Sequence, residues 1–169
     1  MTLQQDIETW DEKSADDITA IYERHCTIET FIIDTMSALD TSELQNGATW
    51  LLKKHLESGV TIPPETVSAL YHNAPILEKW QSKLHVLQCI PLMSITTTDK
   101  LSVESFLRTC LNDPNKFVRA WAYSGFVELA VRFKGYEIET KKLITYAMKE
   151  EASSVTARLR NVIKTYNFQ

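Results

Sequence analysis

A tight turn followed by an almost wholly apolar helix limits what this chain can fold into. Residues 107–133 read LRTCLNDPNKFVRAWAYSGFVELAVRF. The first five end one helix. Asp113 is expected to cap the next, because its carboxylate can accept from the free N–H groups of a first turn. Pro114 is expected at the first helical position, where its missing N–H costs nothing. Beyond it, Phe117, Val118, Trp121, Phe126, Val127 and Val131 leave almost no polar side. Such a helix has to be covered by neighbours. The expected class is therefore all-α.

The rest of the chain repeats this habit. Leu3, Ile7 and Trp10 mark a short first helix. Ser14 to Asp17 has the S-x-x-D form of a helix start. A periodic run from Ile18 to Leu39 is one long helix, or two broken near Thr27. Ser42 to Gln45 matches a capping box and is expected to open a helix that ends at Gly59. Pro63 and Pro64 start another helix. From Ile76 an apolar set predicts a helix that Pro91 ends, and Thr96 to Asp99 is a polar loop. Helices are then expected around Val103–Leu111, after Asp113 to near Gly135, and around Leu143–Met148. A last helix is capped by Ser153 or Ser154. No composition shift separates parts, so residues 1–169 are read as one domain.

At 169 residues with 44% hydrophobic and 24% charged side chains, the chain can bury a sizeable core. No run of about 18 apolar residues exists, so no membrane span is expected. The acidic start MTLQQDIETWDEK has no apolar core and is not expected to be a signal peptide, which leaves the cytoplasm as the expected location. Cys26, Cys89 and Cys110 lie far apart and read as reduced thiols. Residues 1–43 hold eleven acids against Lys13 and Arg24, a balance of −9. Residues 44–169 hold eleven acids against sixteen bases, a balance of +5. Two readings follow: solvated faces that attract one another, or a basic binding surface with an acidic flank.

Helical pairs recur. Lys83, Arg119 and Arg158 each lie early in the second helix of a pair, at intervals of 36 and 39 residues. Glu78, Asp113 and Glu151 precede them. Periods of this length are those of α-solenoids. Asp113-Pro114, Val118-Arg119 and Ala122 together resemble the HEAT-repeat family, with armadillo-like repeats as relatives. The resemblance implies a short right-handed α-α superhelix of about four hairpins, with residues 1–42 as an acidic helical cap and 43–169 as HEAT-like pairs. It also implies an Asp–Arg ladder that ties repeats together. It carries no activity with it.

Chemistry-bearing patterns are sparse. His25, His55, His72 and His85 lack i, i+3 or i, i+4 partners among themselves, the spacing of paired helical histidine ligands, so no metal or other cofactor is expected. His85, between Leu84 and Val86, reads as a satisfied buried or boundary residue. Adjacent acids such as Asp16-Asp17 point about 100° apart on a helix and do not converge. No phosphate-loop, dinucleotide or nucleophile-elbow motif occurs, and no catalytic residue is assigned. The candidate partner-binding residues are Lys83, Arg119, Arg158, Arg160, Lys164, Trp80 and Trp121. The cations are either a ladder with the preceding acids or a line of charge along a concave face. The tryptophans are either packing between repeats or hot spots for a partner. The expected function is a non-enzymatic scaffold that holds a protein or peptide. The alternative is nucleic-acid binding, in the manner of DNA alkylation repair glycosylases with HEAT-like architecture.

Overall fold

The structure, a computed structural model, describes residues 1–169. It is all-helical, with ten α-helices, four short 3-10 turns and no strand. The backbone divides into two compact units, Met1–Leu92 and Met93–Gln169. No helix is long and apolar enough to cross a membrane.

The first unit holds α1 (Leu3–Glu8), α2 (Ala15–His25), α3 (Phe31–Ala38), α4 (Gln45–Glu57), α5 (Pro64–Asn73) and α6 (Trp80–Cys89). Helix α4 lies at its centre and packs on α2, α3 and α6, with Leu51 and Leu52 fully buried. The Ser14 hydroxyl accepts from the Asp17 N–H at 3.1 Å, so the S-x-x-D start holds. The run from Ile18 to Leu39 is two helices, broken between Cys26 and Thr30. Gly59 ends the α4 region at φ +86°, a conformation that side chains with a Cβ resist.

Two expectations in this unit need correction. Ser42 starts a 3-10 turn, Ser42–Leu44, instead of capping α4; its hydroxyl donates to the Glu78 carboxylate at 2.8 Å. The helix expected from Ile76 begins only at Trp80. The buried Gln45 side chain explains the delay. Its amide donates to the Ile76 carbonyl at 3.2 Å and its oxygen accepts from the Glu78 N–H at 3.1 Å. Those backbone groups are therefore held in a turn by a distant residue.

The second unit holds α7 (Lys100–Leu111), α8 (Lys116–Arg132), α9 (Glu137–Glu150) and α10 (Ser153–Tyr166). Helix α8 packs on all three others, as its composition requires. Every residue from Ala122 to Ala130 is buried, whereas Phe117 and Val131, near its ends, are 48% and 46% exposed. A Cβ on Gly125 would lie 2.4 Å from Leu107 Cδ2, so this glycine lets α7 and α8 approach closely. On another side, Ala120, Tyr123 and Val127 pack with Ala147 of α9 and with Val155, Leu159 and Val162 of α10.

The start of α8 differs from expectation. Asp113 does not cap it and Pro114 is not its first residue. The Asp113 carboxylate accepts from the Asn115 N–H at 2.8 Å, and Asn115 in turn accepts from Phe117 N–H at 2.9 Å and from Val118 N–H at 3.4 Å. The turn is thus built in two steps, and Asn115 is the cap. Nor do Ser153 and Ser154 cap α10: Ala152 stands at that position and Ser153 is already helical.

Candidate functional site

The second unit gathers most of the residues singled out above, and Arg119 is the best defined of them. Its position on the first turns of α8 aims the side chain at the turn between α9 and α10. There Nε donates to Glu151 Oε1 at 2.8 Å and Nη2 to Glu151 Oε2 at 3.0 Å. The remaining Nη1 donates to the carbonyls of Asp113 and Pro114, both at 3.0 Å. One guanidinium therefore fastens the α7–α8 turn to the α9–α10 turn. A planar fork on a carboxylate is the geometry that favours arginine over lysine. The pair holds the Glu151 carboxyl below the usual glutamate range, with Arg119 as the main cause and burial opposing it. Neighbouring Tyr123 is pushed up to about 12, by burial first and then by the Glu151 charge. The preceding-acid ladder needs correction in register: Arg119 pairs with the acid of the next turn, and it reaches Asp113 through the backbone carbonyl.

Arg158 makes a different contact. Its guanidinium lies 3.6 Å over the Trp121 ring, and its Nε donates to Ser124 Oγ at 3.2 Å. Trp121 and Ser124 both belong to α8, so α10 is clasped there by stacking as well as by the apolar cluster. Both Trp121 and Arg158 are half-buried. One α8 turn further on, the buried Glu128 accepts from Tyr166 and, at 3.2 Å, from Arg132. Desolvation lowers the Arg158 pKa while Glu128 opposes that shift.

Between the two helical pairs lies an open cleft of about 690 Å³. Leu111, Tyr123, Leu143 and Tyr146 give it apolar walls, and Arg108 and Arg119 stand at its edge. Both cations are already engaged. Arg108 donates to Glu139 at 2.7 and 2.9 Å and to Glu104 at 2.6 and 3.0 Å. Glu104 also accepts from the Tyr136 hydroxyl at 2.6 Å. The cleft is consequently mixed in polarity, with no free positive charge at these two places. Periodicity alone gave no hint of Arg108, Glu139 or Tyr146: their roles depend on which turn meets which helix.

Arg160 and Lys164 are exposed on α10. Two residues along a helix turn through about 200° and six through a net of about 240°, so neither shares a face with Arg158. Trp80 and Lys83 lie on α6 of the first unit, Trp80 being 41% exposed and Lys83 partly so. No group of three or more His, Cys, Asp or Glu is placed to hold a metal ion. His85 is a bonded boundary residue: Nδ1 sits 3.0 Å from the Thr49 hydroxyl, and burial pushes its pKa down to about 4. In comparisons with known proteins, the chain matches no family model, no curated protein and no solved structure.

Proposed function

We propose that the chain is a non-enzymatic scaffold that binds a polypeptide partner, and that the cleft between the helical pairs of the second unit takes part. The paired state of Arg108 and Arg119 carries this reading. A phosphate polymer needs a run of free cations along its path, and here the two guanidiniums at the cleft are neutralised by Glu104, Glu139 and Glu151. Mixed, partly apolar clefts suit side chains of another protein. We also infer that the two pairs, α7–α8 and α9–α10, are successive units of a HEAT-like solenoid. The clasp from Arg119 to the following turn and the packing of α8 on α10 support that reading. The proposed compartment is the cytoplasm, supported by three free cysteines, two of them buried.

The test is site-specific photo-crosslinking in native extract. A photoreactive residue replaces exposed Asn112 at the cleft rim, and in a control replaces exposed Thr165 on α10. A discrete protein adduct from position 112 and none from 165 is the expected result. An adduct made of nucleic acid, or equal adducts from both positions, would overturn the proposal.

A further inference from the structure

Helix α9 turns a second feature outward beside the cleft. Lys142, Tyr146 and Lys149 follow at i, i+4 and i+7, which places them on one stripe about 10 Å long. All three are exposed, Tyr146 by 59%. Lys142 and Lys149 make no ion pair, in contrast to Lys141, whose ammonium donates to Glu137 at 2.6 Å. Lys141, Lys142, Thr145, Tyr146 and Lys149 border a shallow, mainly apolar depression of about 420 Å³. Its walls are the Tyr146 ring and the aliphatic stems of the lysines, whose charged heads reach solvent. An aromatic ring between two free cations is thus displayed on a helix that is otherwise anchored from below by Ala147.

We propose that this stripe is a docking site for a short acidic segment of a partner protein, with an apolar or aromatic residue set between two carboxylates. An extended peptide advances about 3.3 Å per residue, so two to four residues span the distance from Lys142 to Lys149. The carboxylates pair with the two ammonium groups and the residue between them covers Tyr146. Glu137 and Glu139 at one end of α9, with Glu139 in the field of Lys142, and Glu150 at the other limit the positive charge to this span. A long phosphate backbone would meet these acids, whereas a short acidic segment fits between them. The charge of the whole unit agrees: residues 93–169 hold twelve bases and eight acids, net +4. The stripe shares only the Tyr146 ring with the cleft wall, Lys142 and Lys149 lying outside it, so failure of the lysine variants in the test below would leave the cleft proposal intact.

The probe is a short fluorescein-labelled peptide with the core Asp-Glu-Phe-Glu-Asp, measured by anisotropy on the full chain at low ionic strength. Three competitors accompany it: the core with Asn and Gln for the acids, the core with Ser for Phe, and an oligo-dT of equal charge. The acidic peptide is expected to bind at least about tenfold tighter than either altered peptide, a margin of about 1.4 kcal/mol. The double variant Lys142→Glu, Lys149→Glu and the variant Tyr146→Ala are each expected to weaken it by about tenfold or more, and Tyr146→Phe to retain it. These side chains are exposed, and unchanged circular dichroism shows that the variants fold. Equal binding of the neutral peptide, or unchanged binding by the charge-reversed variant, overturns the proposal. Tighter binding of oligo-dT, lost in the same variant, overturns it in favour of a phosphate polymer. Self-association of the wild type that the charge reversal abolishes overturns it in favour of a second copy of this chain.

Discussion

At the scale of single residues, the polar groups at the edge of the core show how much chemistry this chain uses to hold itself together. His85 is the clearest case. Its ring nitrogen is bonded to Thr49 and its surroundings keep the imidazole neutral. The folded pKa, about 4, lies below the ordinary 6.5. The unfolded chain therefore takes up a proton first as pH falls. The neutral ring contributes stability fully above pH 6.5, and that contribution is lost as pH drops from 6.5 through 4. NMR titration of the histidine ring protons is expected to show His85 untitrated at pH 5.5; a midpoint near 6.5 would refute the buried, neutral assignment. Lys142 and Lys149 stand at the other extreme. They are exposed and unpaired, and no hydrogen bond within the chain explains them.

Among the elements, the helices were legible because apolar spacing at 3.6 residues per turn reports burial directly. The central α8 and its covered state follow from that rule, while capping residues give the start of α2 at Ser14 and the end of α4 at Gly59. The starts at Gln45, Trp80, Lys116 and Ser153 were not legible at the same precision. At Trp80 and Lys116 the start depends on side chains that compete for backbone groups. Gln45 holds residues 76–78 from 31 positions away. Asp113 and Asn115 divide between them the work expected of Asp113 alone. Asn115→Ala is expected to destabilise the protein by about 1 kcal/mol, the usual loss for an N-cap, as read by urea unfolding. No change, paired with a loss at Asp113→Ala, would restore Asp113 as the cap. The candidate site was half legible. The sequence singles out Arg119, Arg158 and Trp121, and the structure gives all three partners within their own unit. Tyr146, Arg108 and the α9 stripe carry no such mark, because nothing in the local pattern separates a surface tyrosine from a cleft wall.

Across the whole molecule, two compact units carry opposite charge. Residues 1–92 hold fourteen acids and six bases, net −8, against the +4 of residues 93–169. In the second unit, Arg119 and Arg158, the cations marked by the repeat, join one helical pair to the next, and under the proposed function recognition falls to groups that remain unpaired. That division of labour is the central claim, and Arg119 with Glu151 is where it is most exposed to test. Both are half-buried at the edge of the cleft, with side chains 23% and 10% exposed, so solvent screens the pair in part. Glu151 titrates below the usual range in the folded state, so its contribution is present above the ordinary glutamate pKa and lost as pH falls through the lowered value. The decisive measurement is a double-mutant cycle by urea unfolding at neutral pH, with Arg119→Ala, Glu151→Ala and the double variant. The account predicts that each single change costs about 2 kcal/mol and that the two couple by about 1 kcal/mol or more. Additive effects, with a wild-type fold and altered partner binding in the Arg119 variant alone, would make Arg119 a recognition residue and contradict the account.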